Sequence, residues 1–340
     1  MPPALPTFRV QEQPPFTFTG VDYAGPLYTR SNGANKVWIC LFTCCVTRAI
    51  HLELVTDMST ETFIRCLKRF AARKGMPRKF LSDNGKSFKA AADFLKRVFK
   101  DQTVIDHLST FGTEWVFNIE KAPWWGGVFE RMVKSTKRCL RKFIGQAKFS
   151  LDELHTAVVE VESIINSRPL TYLSPCDLDE ALTPSHLITG RRVINLPDDL
   201  GYCADLEDPD FTVSQEQLTK RVKYNNLVLN HFWKRWRQEY LAELRESHRS
   251  YSQRCSGVPT LSVGDVVIVH EESLPRGFWK LGLVKELFKG RDGVTRGAIV
   301  KLASKNGRPS FLHRPIQRLY PLEIHQEIDK KLLTRQEGHC

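Results

Sequence analysis

Phe80-Leu81-Ser82-Asp83-Asn84-Gly85-Lys86-Ser87-Phe88 is the stretch on which the reading of this chain turns. Arg78 to Ser82 has the length and apolar content of a short strand, and it ends by delivering the Asp83 carboxylate into an Asn-Gly turn. Phe88 to Phe99 then repeats its apolar residues at helical spacing. A strand that hands over to a helix is the building unit of an α/β sheet. Upstream, Ser59 fits a helix N-cap and Glu61 its first turn. Phe63, Cys66, Leu67, Phe70 and Ala71 share one face until Gly75 and Pro77 stop the helix. Before that helix come three strand signals with no helix between them, which predicts an antiparallel meander. Phe16 to Asp22 alternates and ends in a carboxylate. Val37 to Val46 is a continuous apolar run, as expected of a central strand buried on both faces, and Ile50 to Val55 alternates. Downstream, Trp115 to Ile119 predicts a fifth strand. Phe129 to Ile144 predicts a long helix after the turn at Gly126-Gly127, and Leu151 to Asn166 a further helix. The predicted class is α/β, with a mixed five-stranded sheet and flanking helices.

Beyond this core the pattern changes. Residues 191–212 are rich in Pro, Asp and Leu and read as a linker. Gln215 to Ser250 is a charged helix whose Trp233, Trp236 and Tyr240 fall at helical spacing, which favours packing over base stacking. Residues 260–322 hold several short strands, from Val263-Gly264-Asp265 through Trp279–Phe288 and Gly297–Leu302, with a hairpin signal at Asn306-Gly307. They predict a small C-terminal β-barrel. The expected division is a disordered lead-in over 1–15, the core over 16–190, linker and helix over 191–255, the barrel over 260–322 and a tail over 323–340.

The chain has 340 residues and a formal net charge of +12, which favours a polyanionic partner such as DNA. No run approaches the ~20 apolar residues of a membrane span, and residues 1–15 lack the apolar segment of a secretory signal. The nine cysteines form no Cys-x-x-Cys pair. They read as reduced core thiols of an intracellular protein, with no zinc site.

Three carboxylates carry the chemistry. Asp22 closes the first strand, Asp83 follows the fourth, and Glu130 opens a helix. Each alone has an ordinary reading: a turn residue, an Asp-Asn-Gly turn, a helix-start glutamate favoured by the macrodipole. Together, delivered by separate elements, they form a hard-oxygen donor set suited to Mg²⁺ or Mn²⁺, and two such ions can clamp an in-line phosphoryl transfer. Lys134, Lys137 and Arg141 follow Glu130 at spacings that share its helix face. That stripe would set DNA phosphates beside the metal, although a solvated basic face has the same pattern.

These segments resemble the integrase catalytic core of LTR retrotransposons, an RNase H-like fold, and within that group the BEL/Pao elements. The resemblance is carried by Phe18-Thr19-Gly20-Val21-Asp22-Tyr23-Ala24-Gly25-Pro26-Leu27, by Phe80 to Phe88 and by Trp124 to Lys137. Ile165-Asn166-Ser167-Arg168-Pro169-Leu170-Thr171 and Leu182-Thr183-Pro184-Ser185-His186-Leu187 add to it. Residues 260–322, with Arg314-Pro315-Ile316 and Leu319-Tyr320-Pro321-Leu322, resemble the SH3-like domain that accompanies these integrases. The resemblance implies that Asp22, Asp83 and Glu130 are the catalytic, metal-binding triad for two Mg²⁺ or Mn²⁺ ions, and that Lys134 and Lys137 touch the element's DNA ends. It implies end processing by water, strand transfer by a 3′-hydroxyl, a homo-oligomer, and work in the nucleus. Trp124 stands where many relatives carry a histidine, which bears on the loop. The family's His₂Cys₂ zinc domain has no counterpart before Phe16. The chain is therefore expected to be a piece of a polyprotein, a degenerate copy or a host gene derived from one. The competing expectations are a non-catalytic DNA-binding or chromatin protein of the same fold, and a nuclease that only cleaves.

Overall fold

A computed structural model of the chain describes residues 13–30, 36–83, 85–98, 113–117, 136–138, 140, 144, 149–172, 178, 180–193, 212–254, 261–271, 274, 278–291, 293–303 and 310–324. The chain packs as two compact units. The first comprises residues 1–166 and 194–236, the second 167–193 and 237–340. The expected core boundary at 190 therefore differs from the structure, which divides the chain after Asn166.

In the first unit β1 (Phe18–Tyr28), β2 (Lys36–Cys44) and β3 (Ile50–Val55) form the antiparallel meander. The apolar run of β2 is buried from Ile39 to Cys44 because strands cover both its edges and side chains cover both its faces. Helix α1 (Thr60–Lys74) starts where the Ser59 hydroxyl accepts a bond from the Thr62 N–H, and it ends at Gly75, whose φ of 86° only glycine adopts without strain. It leads to β4 (Lys79–Ser82), then α2 (Lys86–Val98) and β5 (Glu114–Phe117). The sheet order is β3-β2-β1-β4-β5, with β1, β4 and β5 parallel. Helix α3 (Leu151–Asn166) buries Leu154, Val158, Val161 and Ile165 against the β3 side of the sheet. It also closes the outer edge of β3. The Asn166 amide accepts from the Ile50 N–H at 2.9 Å and donates to the Ile50 carbonyl at 2.8 Å, and Glu162 accepts from the Leu52 N–H at 2.8 Å. Side chains thus satisfy a strand edge that would otherwise invite a second chain.

The second unit gathers the short pair β6 (Thr171–Tyr172) and β7 (Ala181–Leu182), helix α4 (Pro184–Thr189) and the C-terminal strands. The strands are β8 (Val266–Val269), β9 (Lys280–Lys289), β10 (Thr295–Leu302), β11 (Ser310–Pro315) and, after a 3₁₀ turn, β12 (Leu319–Pro321). All five are antiparallel, in the order β11-β10-β9-β8-β12. A four-strand meander whose last strand returns through a 3₁₀ turn to pair with the first has the connectivity of an SH3-like barrel. Its core is Val267, Val269, Val284, Ala298, Val300, Leu302 and Leu319. Gly282 is required there, since a Cβ would lie 2.1 Å from Val300 Cγ1. Arg168, fully buried, pairs with Glu323 at 3.0 Å, and the Ile324 N–H donates to the Leu170 carbonyl at 2.9 Å. Those bonds explain why 167–193 groups with the C-terminal strands.

The long helix α5 (Thr212–Arg254) runs from the first unit, up to Trp236, into the second, from Arg237. Leu229, Phe232, Trp233, Trp236 and Tyr240 are buried at helical spacing, as packing residues should be. Among the described residues no helix is long and apolar enough to cross a membrane. The Asn306-Gly307 hairpin, the Gly126-Gly127 turn and most of the 191–212 linker lie outside the described residues.

Candidate active site

The pairing of β1 with β4 locates the site. Their parallel register runs Phe18↔Lys79, Thr19↔Phe80, Gly20↔Leu81, Val21↔Ser82 and stops there. Asp22 and Asp83 are the next residues on each strand, so neighbouring backbones about 5 Å apart present one carboxylate each at the same level. The sheet order also reverses at this pair. The chain builds β2 and β3 outward on one side of β1, then crosses over to build β4 and β5 on the other. A crevice beyond the carboxyl ends of strands at such a reversal is where open α/β sheets bind ligands.

The strand expected to close at Asp22 runs further. Asp22 does not end its strand: β1 continues to Tyr28, because its antiparallel pairing with β2 resumes at Leu27↔Val37. The ladder is interrupted at Gly25-Pro26, where proline has no N–H to give. The boundary that matters at Asp22 is the end of the parallel partner β4.

Each carboxylate spends one oxygen on its own backbone. Asp22 Oδ1 accepts the Tyr23 N–H at 2.7 Å, and Asp83 Oδ1 accepts the Gly85 N–H at 3.0 Å. Gly85 permits this cradle, since a Cβ there would sit 3.0 Å from Asp83 Oδ1 and 3.2 Å from the Phe88 ring. Oδ2 of Asp22 is ion-paired with the Lys137 ammonium, both side chains being part-exposed. Oδ2 of Asp83 has no partner among the described residues, and Asp83 is exposed.

Lys137 belongs to a helical turn over 136–138, beside the buried Thr136, Leu140 and Ile144. That spacing of four is the spacing of one buried helical stripe, and Lys137 lies at its margin. Glu130, Lys134 and Arg141 lie outside the described residues. The structure thus brings together Asp22, Asp83 and Lys137 of the six residues singled out in the sequence.

Aromatic rings fasten the two strand ends. Tyr23 stacks on Phe88 at 5.1 Å with the planes 7° apart, so the residue after Asp22 grips the helix that follows Asp83. Burial, reinforced by the neighbouring Cys40 and Cys66 thiols, pushes the Tyr23 phenol well above its ordinary range and keeps it neutral. Beneath Asp83, the Trp115 indole donates to the Ser82 hydroxyl at 2.8 Å, and that hydroxyl reaches the Asp83 carbonyl at 2.9 Å. Tyr23, Ser82 and Trp115 carried no sequence signal of this role, although Tyr23 and Ser82 each adjoin a candidate carboxylate.

Among the described residues no group of three or more His, Cys, Asp or Glu side chains could hold a metal ion. The described part of the site supplies two carboxylates. Their chemistry fits a hard divalent cation, and the ammonium on Asp22 Oδ2 shows that this oxygen faces a position a cation fills.

Residues 21–117 match the family model described as the integrase core domain. Residues 220–322 match a family of unknown function (DUF5641). No curated protein matches the chain. Among solved structures, the catalytic core domain of BIV integrase is 14% identical, covering 51% of this chain and 93% of its own at a TM-score of 0.32. The simian T-cell lymphotropic virus intasome in complex with PP2A regulatory subunit B56 gamma is 12% identical, covering 92% of this chain and 81% of its own at a TM-score of 0.35. Likeness at that level carries no functional conclusion. The segment that holds Asp22, Asp83, Ser82 and Trp115 falls wholly within the match, and over that segment the chain is similar to the integrase core domain family.

Proposed function

We propose that the chain is a divalent-metal-dependent DNA strand transferase of the integrase type, with Asp22, Asp83 and Glu130 as the metal-binding carboxylates. The observation that carries the proposal is the placement of Asp22 and Asp83 side by side beyond the last β1–β4 pair, each with Oδ1 tied to backbone. That leaves Oδ2 of Asp83 to coordinate, and Oδ2 of Asp22 where a metal ion replaces the Lys137 ammonium. A bound pair of Mg²⁺ or Mn²⁺ ions would supply charge stabilisation for the attacking and leaving oxygens of phosphoryl transfer. The backbone anchors hold the carboxylates against rotation, so the chain does little reorganising as charge develops. Lys137, paired with Asp22, would turn to a DNA phosphate as the metal takes that oxygen, and Lys134 and Arg141 would extend the contact along their helix. In the reaction a water or 3′-hydroxyl oxygen bonds to phosphorus while the bond to the departing 3′ oxygen breaks.

The BEL/Pao assignment rests on the sequence segments around Asp22, Asp83 and Asn166. The substrates would be element ends and a target duplex, joined by a multimer of this chain in the nucleus. The test incubates the full chain with labelled end duplexes and Mg²⁺ or Mn²⁺. Joined products that disappear in Asp83→Asn are expected. Neither joining nor cleavage with any end sequence would remove the enzyme reading and leave a DNA-binding protein of the same fold.

A further inference from the structure

We infer that Trp115 is a positioning residue for the Asp83 carboxylate, acting through Ser82. The inference rests on the reading of Asp22 and Asp83 as a metal site and adds two residues to it. An indole N–H can donate but not accept. The 2.8 Å contact from Trp115 Nε1 to Ser82 Oγ therefore has one polarity, and it occupies the hydroxyl as an acceptor. Ser82 has a single hydroxyl proton, is fully buried, and lies 2.9 Å from the Asp83 carbonyl oxygen. The proton goes to that carbonyl. Trp115 to Ser82 to Asp83 is a one-way relay that fixes the peptide carbonyl of Asp83.

That peptide sets where the Asp83 side chain begins. Its other end is held by the Gly85 N–H on Oδ1, so Oδ2 is aimed by two anchors on opposite sides of the residue. The indole is itself held by three elements. It stacks on Phe80 of β4 at 4.5 Å, meets Phe63 of α1 edge-on at 6.0 Å, and sits on β5 in register with Phe80. A phenylalanine would serve for that packing. What it lacks is the N–H, and a residue two hydrogen bonds removed from a ligand residue acts by aiming it.

The experiment measures Mn²⁺ binding to the full chain by the loss of the free-ion paramagnetic resonance signal, with no DNA present. Trp115→Phe keeps the ring and removes the donor. Its Mn²⁺ dissociation constant is expected to rise on the order of 10-fold, the scale of outer-shell effects on metal affinity. Its urea midpoint should stay near that of the parent chain. Ser82→Ala should weaken binding by the same factor, and the double variant by no more than either, since both break one relay. Asp83→Asn is the control and should abolish binding at that position. Trp115→Phe and Ser82→Ala binding like the parent while Asp83→Asn does not would overturn the relay alone. Weakening by Trp115→Phe but not by Ser82→Ala would also overturn it, because the indole would then act by packing. Parent-like binding in Asp83→Asn would overturn the metal-site reading and the relay with it.

Discussion

Glu53→Gln removes one charge from the interior of the first unit, and the structure sets how much that should cost. Glu53 lies on β3 with its side chain 5% exposed. Arg69 reaches it at 2.8 Å, Arg73 binds its other oxygen, and His51 lies 3.4 Å away. Burial alone would push the carboxyl pKa up. Hydrogen bonds from His51 and Arg69, with their charge, outweigh burial and hold it down to about 2, from an ordinary 4.5. A carboxylate whose pKa is lower in the folded state adds stability that is full above its unfolded pKa and is lost as pH falls through the folded one. Here the window runs from 4.5 down to about 2 and corresponds to about 3 kcal/mol at neutral pH. Arg69 and Arg73 are 42% and 53% exposed, so solvent screens them and the realised loss should be nearer ~2 kcal/mol. His51 behaves in the opposite sense. Burial lowers its pKa, but hydrogen bonds to Glu162 and Glu53 raise it more, so its contribution is full at low pH and is lost as pH rises through the folded value. Urea titrations of the parent chain and of Glu53→Gln, followed by far-ultraviolet circular dichroism at several pH values, measure both. The variant should be less stable at pH 7 and should lose less than the parent between pH 4.5 and pH 2. Equal stability at pH 7, or parallel losses across the acid window, would refute the argument.

Other perturbations address separate parts. Asn166→Ala strands the Ile50 N–H and carbonyl at the edge of β3 and should cost about 2–3 kcal/mol in urea unfolding. Hydrogen exchange at the Ile50 amide should rise with it. Glu323→Gln removes the charge that meets the fully buried Arg168 guanidinium at 3.0 Å in the second unit. A loss of about 3 kcal/mol is expected, seen as a lower thermal midpoint for that unit.

Local signals in the sequence carried much of the fold. The apolar run at Val37–Val46 announced a buried central strand, and Ser59 with Gly75 bracketed α1 where the structure has it. Strand β4 and the turn that presents Asp83 could be read from nine residues. What could not be read depends on partners far apart in the chain. Asp22 reads as a strand terminus because nothing local shows that β2 keeps pairing as far as Tyr28. The indole of Trp115 finds Ser82 across 33 residues, and Lys137 finds Asp22 across 115. Helical spacing placed Lys137 on a cationic face without revealing which acid it would meet. The grouping of 167–193 with the C-terminal strands depends on Arg168 meeting Glu323, 155 positions away, and periodicity carries no trace of such a meeting.

The order of the segments has a consequence for how this protein can be cut and recombined. Residues belong in turn to the first unit, the second, the first again, and the second again. Each unit is therefore discontinuous. Any single junction between residues 167 and 236 deprives one unit of a segment it shares in folding. A stop codon after Asn166 removes 194–236 from the first, and a start at Arg237 removes 167–193, with its buried arginine, from the second. Exchange of the second unit between related chains needs three crossovers, and a nascent chain must hold 167–193 in waiting until its last strands have been made.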